Sequence, residues 1–353
     1  MKVLFVFKEE EEANRYISTL KDALIAEGID ATCSVDDFWN NYQKYDIVHF
    51  QWLQGYVIPI LDAEDVNRFV EQINKIKNRC KIVVTCHDFK PHYSNDQHHN
   101  YALNYIYEHC DVMIHLGQYS CNYYINKLDS GIRHCVIPHH IYNNFYHFSL
   151  DKSIARKQLK IPSSANVLLC FGAFRRDIER NMVLKAWKKV EVKNKYLLAP
   201  GFYHLYMRRK NVFLLSMQLM KAWYYKLRGV HFINEFVPHD KVETYFCAAD
   251  ILMIQRAVIL NSGNLSLGFH AQKVVVGPNV GNVKEILEES GNPVFDPNDI
   301  SSVTKAIQDG FRLKYTGLPQ KNHDYAMKNW NSSIIARKHI EVYRDILELK
   351  AKN

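Results

Sequence analysis

The sequence predicts an α/β protein built from two doubly wound parallel sheets in tandem, and three observations lead there. Short apolar runs alternate with segments of helical period along both halves of the chain. The alternation stops once, over residues 136–153 ("VIPHHIYNNFYHFSLDKS"), a stretch with Pro138, Asn143 and Asn144 and no usable period. Finally, 353 residues at 47% hydrophobic content exceed what one core organises and supply apolar material for two. The hinge between an N-terminal domain (residues 1–145) and a C-terminal domain (residues 150–330) is placed in the pause.

The elements follow in order. "KVLFVF" (2–7) reads as a buried strand. "EEANRYISTLKDALIAEG" (11–28) brings Tyr16, Leu20, Leu24 and Ile25 to helical spacing and stops at Gly28, so it predicts a helix. "DIVHFQW" (46–52), "KIVVTCHD" (81–88) and "DVMIHLG" (111–117) predict strands, with helices over 63–78 and 101–110 between them. After the pause, strands are predicted in "NVLLCFGAF" (166–174), "KYLLAPG" (195–201), "VHFINEF" (230–236), "DILMIQ" (250–255) and "KVVVGP" (273–278). Helices are predicted in "RNMVLKAWKKV" (180–190), a long basic segment near 205–228, "DKVETYFCAA" (240–249), "NSGNLSLGF" (261–269) and "SVTKAIQDGFR" (302–312). A closing helix from about Ser333 carries Ile335, Ile340, Tyr343, Ile346 and Leu347.

Composition narrows the function. No apolar run approaches the roughly 20 residues of a membrane-spanning helix. The start "MKVLFVFKEEEE" turns acidic too soon for a secretory signal, so the chain is expected in the cytoplasm. Eight cysteines lie scattered with no Cys-x-x-Cys pair, which argues against zinc and against a disulfide framework and for reduced, mostly buried thiols. Charge is divided unevenly: residues 1–150 hold 13 Lys and Arg against 19 Asp and Glu, the remainder 32 against 18. The second half is therefore suited to an anionic partner, whether phosphorylated small molecule or anionic lipid surface. No helix-turn-helix, zinc-finger or RNP-type motif is present, so nucleic acid is not expected.

The strand-end motifs, in their order, resemble those of the GT-B glycosyltransferases, specifically the family-4-like enzymes of bacterial capsular, exopolysaccharide and O-antigen synthesis. "DIVHFQW", "KIVVTCHDFKPH", "CDVMIHLGQYS" and "VIPHHIYNNFY" carry the likeness in the first half. "FGAFRRDIERNMVLKAWKKV", "INEFVPHDKVETYFCAADILMIQ", "NSGNLSLGFHAQKVVVGPNVGNVKEIL" and the closing helix carry it in the second. The resemblance implies two Rossmann-like domains facing each other across a cleft, an acceptor domain first and a nucleotide-sugar domain second, with the helix at about 333–353 packing back on the first. It implies transfer of a hexose from a UDP- or GDP-sugar to a growing, lipid-linked cell-surface oligosaccharide, with no metal and no other cofactor. Three features depart from the family. The paired Glu residues that hold the donor in many relatives fall near Ile259 and Leu267, which leaves retaining against inverting transfer open; "KEEEEANRY" replaces the first glycine-rich loop; and the Lys two to three residues after the Arg of "FGAFRRDIE" is absent, with Arg176 and Arg180 nearby instead. A sugar-nucleotide epimerase and a non-catalytic subunit on the same fold remain as alternatives.

Candidate residues are then placed on that frame. Ser262, Gly263 and Asn264 open a helix, where bare N–H groups and the dipole suit a diphosphate; an ordinary capped helix start is the plain alternative. Arg175 and Arg176 follow a strand at its ligand-facing end, where guanidinium can neutralise a leaving nucleoside diphosphate, or else they are solvated loop residues. His87 and Asp88 end a strand of the first domain and are the candidate catalytic groups, Asp88 as a base toward an acceptor hydroxyl and His87 as a hydrogen-bonding partner of the donor sugar or a phosphate, against a plain strand-end turn in which Asp88 caps the next segment. By resemblance, Glu235 and Phe236 lie where the nucleobase binds. The basic segment sets Val212, Leu215, Leu219, Trp223 and Leu227 on one helical face beside Arg208, Arg209 and Lys210. Such a face either meets an anionic membrane surface or packs into the core. The His-rich "HDFKPHYSNDQHH", with His92, His98 and His99, matches no zinc spacing.

Overall fold

The computed structural model describes residues 1–8, 15–53, 58–89, 97–128, 131–202, 216–217, 219–220, 223–224, 226–227, 230–233 and 237–352. The chain divides into two compact units, Met1–Asn144 with Asn329–Asn353, and Phe145–Lys328.

In the first unit strands and helices alternate: β1 (Lys2–Phe5), α1 (Tyr16–Ala26), β2 (Asp30–Cys33), α2 (Val35–Asn40), β3 (Ile47–Phe50), α3 (Ala63–Lys77), β4 (Lys81–Cys86), α4 (Gln97–His109), β5 (Val112–His115), α5 (Gln118–Ile125) and β6 (Arg133–Val136). The sheet is parallel throughout, in the order β2-β1-β3-β4-β5-β6. Its central strands are covered on both faces. That is why Ile47–Phe50 and Val112–His115 are continuously buried, while the edge strand β6 keeps Arg133 and Val136 exposed. Helix α3 shows the local logic of the covering layer. Asp62 accepts the N–H groups of Glu64 and Asp65, Val66, Phe69, Ile73 and Ile76 face inward, and Lys75 and Lys77 close the last turn.

The second unit repeats the plan with α6 (Lys152–Gln158), β7 (Asn166–Leu169), α7 (Asp177–Lys189), β8 (Lys195–Pro200), β9 (Val230–Ile233), α8 (His239–Ala248), β10 (Ile251–Met253), α9 (Gly263–His270), β11 (Val274–Pro278), α10 (Gly281–Ser290), β12 (Val294–Phe295), α11 (Ile300–Leu313) and α12 (Leu318–Asn329). Its parallel sheet runs β12-β11-β10-β7-β8-β9. Leu168, Leu197, Ile251, Val274 and Val276 of the strands meet Val183, Trp187, Ile307 and Phe311 of α7 and α11 in one core. The buried Asp250 accepts the Val167 N–H at 2.7 Å and an Arg156 guanidinium N–H at 2.9 Å, which ties α6 to the middle of the sheet. The last helix, α13 (Ser332–Lys352), belongs to the first unit. It packs on α1, and Arg337 pairs with Glu27 at 3.0 Å.

Candidate functional site

Each sheet has one place where the winding reverses: between β1 and β3 in the first unit, and between β7 and β10 in the second. There the loops at the carboxyl ends of the two strands leave in opposite directions and open a crevice, the usual ligand position in sheets of this kind. Arg175, Arg176, Ser262, Gly263 and Asn264 follow the two strands at the second of these places, whereas His87 and Asp88 follow β4, the neighbour of β3 in the first sheet.

In the second unit β7 leads into Phe171 and Gly172, the latter at φ +84°, and β10 leads into Gln255 and Arg256. Buried Gln255 donates from Nε2 to the carbonyls of Phe171 (3.1 Å) and Gly172 (3.2 Å), and Asn264 Nδ2 donates to the Phe171 carbonyl at 2.7 Å. The first turn of α9 is thus fastened to the β7 loop. Ser262 holds the N-cap position with extended backbone (φ −142°, ψ 116°), yet its side chain makes no capping bond. The stretch before it is held from the other side by α10: Asn282 donates its N–H to the Leu260 carbonyl (2.9 Å) and its Nδ2 to Asn261 Oδ1 (2.7 Å).

Arg175 and Arg176 lie exposed on the β7–α7 loop, and the backbone beneath them is fixed by a carboxylate that sequence reading did not single out. Glu179, 2% exposed, accepts the N–H of Arg175 at 2.8 Å, the N–H of Arg176 at 3.3 Å and an Arg256 guanidinium N–H at 3.0 Å. Arg180 adds a second tie, donating to the carbonyls of Phe174 (2.9 Å) and Phe202 (3.2 Å). The signal for Glu179 was present in the sequence. It stands three residues after Arg176, the position from which Glu reaches back to the N-cap backbone. Arg256 carried only the weaker signal of a cation directly after a buried strand.

In the first unit His87 and Asp88 follow β4. The His87 ring stacks on Trp52 (centroids 3.9 Å apart, planes 23°) and meets Tyr16 edge-on (4.9 Å, 86°), and its Nε2 lies 2.9 Å from Gln51 Oε1. The Asp88 carbonyl accepts the Tyr107 hydroxyl at 3.1 Å. A cavity of about 20 Å³, room for about one water, is bounded by Gln51, Trp52, His87, Asp88, Ile106 and Tyr107 among others. Burial pushes the neighbouring Cys86 thiol up to about 12 and raises the Tyr16 and Tyr107 hydroxyls, so all three stay protonated at neutral pH.

The structure thus brings Arg175, Arg176, Ser262, Gly263 and Asn264 to neighbouring loops of one unit and His87 and Asp88 to the other. Glu235, Phe236, Arg208, Arg209, Lys210 and His92 lie outside the described residues. Trp223 is described and 66% exposed, as are Leu219 and Leu227 at 56% and 68%. Among the described residues no group of three His, Cys, Asp or Glu side chains is placed to hold a metal ion, and no helix is long and apolar enough to cross a membrane. All eight cysteines are free thiols, six of them buried.

No protein-family model matches the chain, and no curated protein matches it. Solved structures do. Sucrose-phosphate synthase from Thermosynechococcus elongatus is 15% identical, with 99% of each chain covered and a TM-score of 0.73. Anabaena HepE, crystallised with UDP and glucose, is 13% identical over 98% of this chain and 100% of its own, also with a TM-score of 0.73. WaaG, a glycosyltransferase involved in lipopolysaccharide biosynthesis, is 12% identical over 97% of this chain and 99% of its own, with a TM-score of 0.63. Two parallel six-stranded sheets with helices on their faces, matched over nearly the full length of glycosyltransferases of this architecture, give the chain the GT-B fold.

Proposed function

We propose that the protein is a glycosyltransferase that moves a hexose from a nucleoside diphosphate sugar to a growing, lipid-linked oligosaccharide. One observation carries this reading most: at the winding reversal of the second unit, the start of α9, which its own Ser262 does not cap, is fastened to the loop that presents Arg175 and Arg176. Helix-start N–H groups and a guanidinium pair suit a diphosphate. The fold is shared with HepE, whose structures hold UDP, UDP-glucose, or UDP with glucose.

In the proposed reaction an acceptor hydroxyl oxygen attacks the anomeric carbon and the bond from that carbon to the β-phosphate oxygen breaks. Negative charge gathers on the departing diphosphate, where Arg175, Arg176 and the start of α9 stabilise it. The hydroxyl proton passes to a base, and Asp88, beside His87 in the first unit, is assigned that role. Glu235 and Phe236 are assigned to the nucleobase. The reading invokes no metal. Exposed Leu219, Trp223 and Leu227, with Arg208, Arg209 and Lys210 in the same segment, favour an anionic membrane surface over core packing for the apolar stripe.

The test is a thermal-shift panel of UDP, GDP and their common sugars. A ligand at about 100 times its dissociation constant adds roughly 2.7 kcal/mol of stability. A shift with one nucleotide, lost in Arg175→Ala, is expected; no shift with any member would overturn the reading.

A further inference from the structure

A chain of buried polar side chains leads away from His87 into the interior of the first unit. His87 Nε2 lies 2.9 Å from Gln51 Oε1, and Gln51 Nε2 lies 3.1 Å from His49 Nε2. His49 Nε2 is also 2.8 Å from the Thr85 hydroxyl, and His49 Nδ1 is 2.7 Å from the hydroxyl of Tyr343 on α13. His49, Thr85 and Tyr343 are fully buried, Gln51 and His87 nearly so.

We propose that Gln51 and His49 are positioning residues that decide which ring nitrogen of His87 carries its proton. An amide has fixed ends: its oxygen only accepts and its NH2 only donates. With Oε1 toward His87, the facing Nε2 must carry the hydrogen, because a bare ring nitrogen would set lone pair against lone pair. With Gln51 Nε2 toward His49, the facing ring nitrogen must be bare, so the His49 proton sits on Nδ1 and is donated to the Tyr343 oxygen. Turning the amide over would reverse both rings at once. The two tautomers are therefore coupled, and His87 keeps Nδ1 as its lone-pair position.

Two further observations support the assignment. Trp52 and Tyr16 already fix the plane of the His87 ring, so the proton position is what the polar chain adds. Burial, with His339 and His87 nearby, also holds His49 well below the usual histidine range. A neutral ring is required, since a doubly protonated one could not accept from Gln51. A buried polar run of this length is costly unless its members are matched, and in this assignment Gln51, His49 and Thr85 each meet a partner of the opposite sense.

This inference rests on the glycosyltransferase reading for its consequence, though not for its chemistry, so the test has two arms. Two-bond proton–nitrogen spectra of the imidazole rings, assigned with His87→Gln and His49→Gln, report the tautomers directly. The expected wild-type state is Nε2–H on His87 and Nδ1–H on His49. Gln51→Leu should leave His87 a mixture of tautomers. Gln51→Glu, whose carboxylate accepts from both rings, should keep His87 on Nε2–H and move His49 to Nε2–H. Tyr343→Phe removes one hydroxyl and serves if the Leu variant does not fold: because Gln51 stays in place, His49 should keep Nδ1–H and His87 Nε2–H, and a change at either ring would show that Tyr343 and not Gln51 sets the tautomers.

In the second arm, turnover of the nucleotide sugar selected by the panel should fall in Gln51→Leu by at least roughly 10-fold, the lower end of the loss seen when the hydrogen-bond partner that orients a functional histidine is removed. Donor KM should stay unchanged, and Gln51→Glu should recover part of kcat. Wild-type His87 on Nδ1–H, or tautomers and turnover unmoved by Gln51→Leu, would overturn the proposal. Correct tautomers with no turnover of any sugar nucleotide would overturn the transfer reading alone.

Discussion

Glu179 and Arg175 show how differently two charged residues four positions apart behave. Glu179 is buried and accepts three N–H groups, one of them from Arg256, whose own side chain is only 12% exposed. Glu179→Ala strands that guanidinium without its carboxylate and should cost about 3–5 kcal/mol in a urea titration. A loss under 1 kcal/mol would show that water replaces the carboxylate. Arg175 is exposed, so Arg175→Ala should change stability by no more than about 0.5 kcal/mol. If it contacts a phosphate, nucleoside diphosphate affinity should fall by about 1.5–3 kcal/mol, roughly 10- to 150-fold, measured by calorimetry. Arg175 was legible in the sequence because it follows an apolar strand at its ligand-facing end. The Glu179–Arg256 pair was not, because its partners are 77 residues apart and meet only when β7 and β10 pair.

At the level of elements, α9 and α3 make a controlled comparison of helix starts. Asp62 caps α3 through two N–H groups, so Asp62→Ala should cost about 1 kcal/mol. Ser262 occupies the same position on α9 without a capping bond, so Ser262→Ala should be neutral within about 0.5 kcal/mol. A cap-sized loss at Ser262 would mean that its hydroxyl does satisfy the helix. What fixes the start of α9 instead is its surroundings, and Gly281 is the critical point. It sits at φ +59°, and an added Cβ would come within 2.5 Å of the Ile259 carbonyl oxygen and 2.7 Å of that of Leu260. Gly281→Ala should therefore cost more than the roughly 1–2 kcal/mol of left-handed backbone strain and displace the stretch leading to Ser262. Affinity for the nucleotide selected by the thermal-shift panel should fall with it, and an unchanged affinity would separate that stretch from the ligand. The strongly periodic and uniformly apolar elements were readable in advance. β2, α2, α5, β6, α6, α10, β12 and α12 were not singled out, being short or without a clear period.

For the whole molecule, buried histidines set the response to acid. Burial holds His115 and His140 near about 3 and His339 near about 4, against an ordinary value of 6.5, and pushes His49 down as well. The unfolded chain takes up these protons near pH 6.5 and the folded chain does not, so below that pH the unfolded state binds more protons. Stability is then full above about pH 6.5 and falls as pH drops toward about 4, at about 1.4 kcal/mol per pH unit for each histidine involved. Thermal unfolding from pH 7.5 to 4.5 should show this steep acid limb, and a flat profile would mean that the rings are hydrated or paired in the folded state. Several of these histidines stand in strands or helices that the sequence marks as apolar, yet nothing in their spacing tells that His49 meets Gln51, Thr85 and Tyr343. By itself the sequence determined the α/β class, the doubly wound plan of each half, the apolar strands and the loops that carry Arg175, Ser262 and His87, because hydrophobic period and strand-end position are local properties. Only the tertiary structure decided the strand order with its two winding reversals, the choice of α1 as the helix on which the returning α13 packs, the anchoring of the arginine loop by Glu179 and the polar chain behind His87. Those depend on which distant segments the closing of each core brings into contact, and no local pattern encodes that pairing.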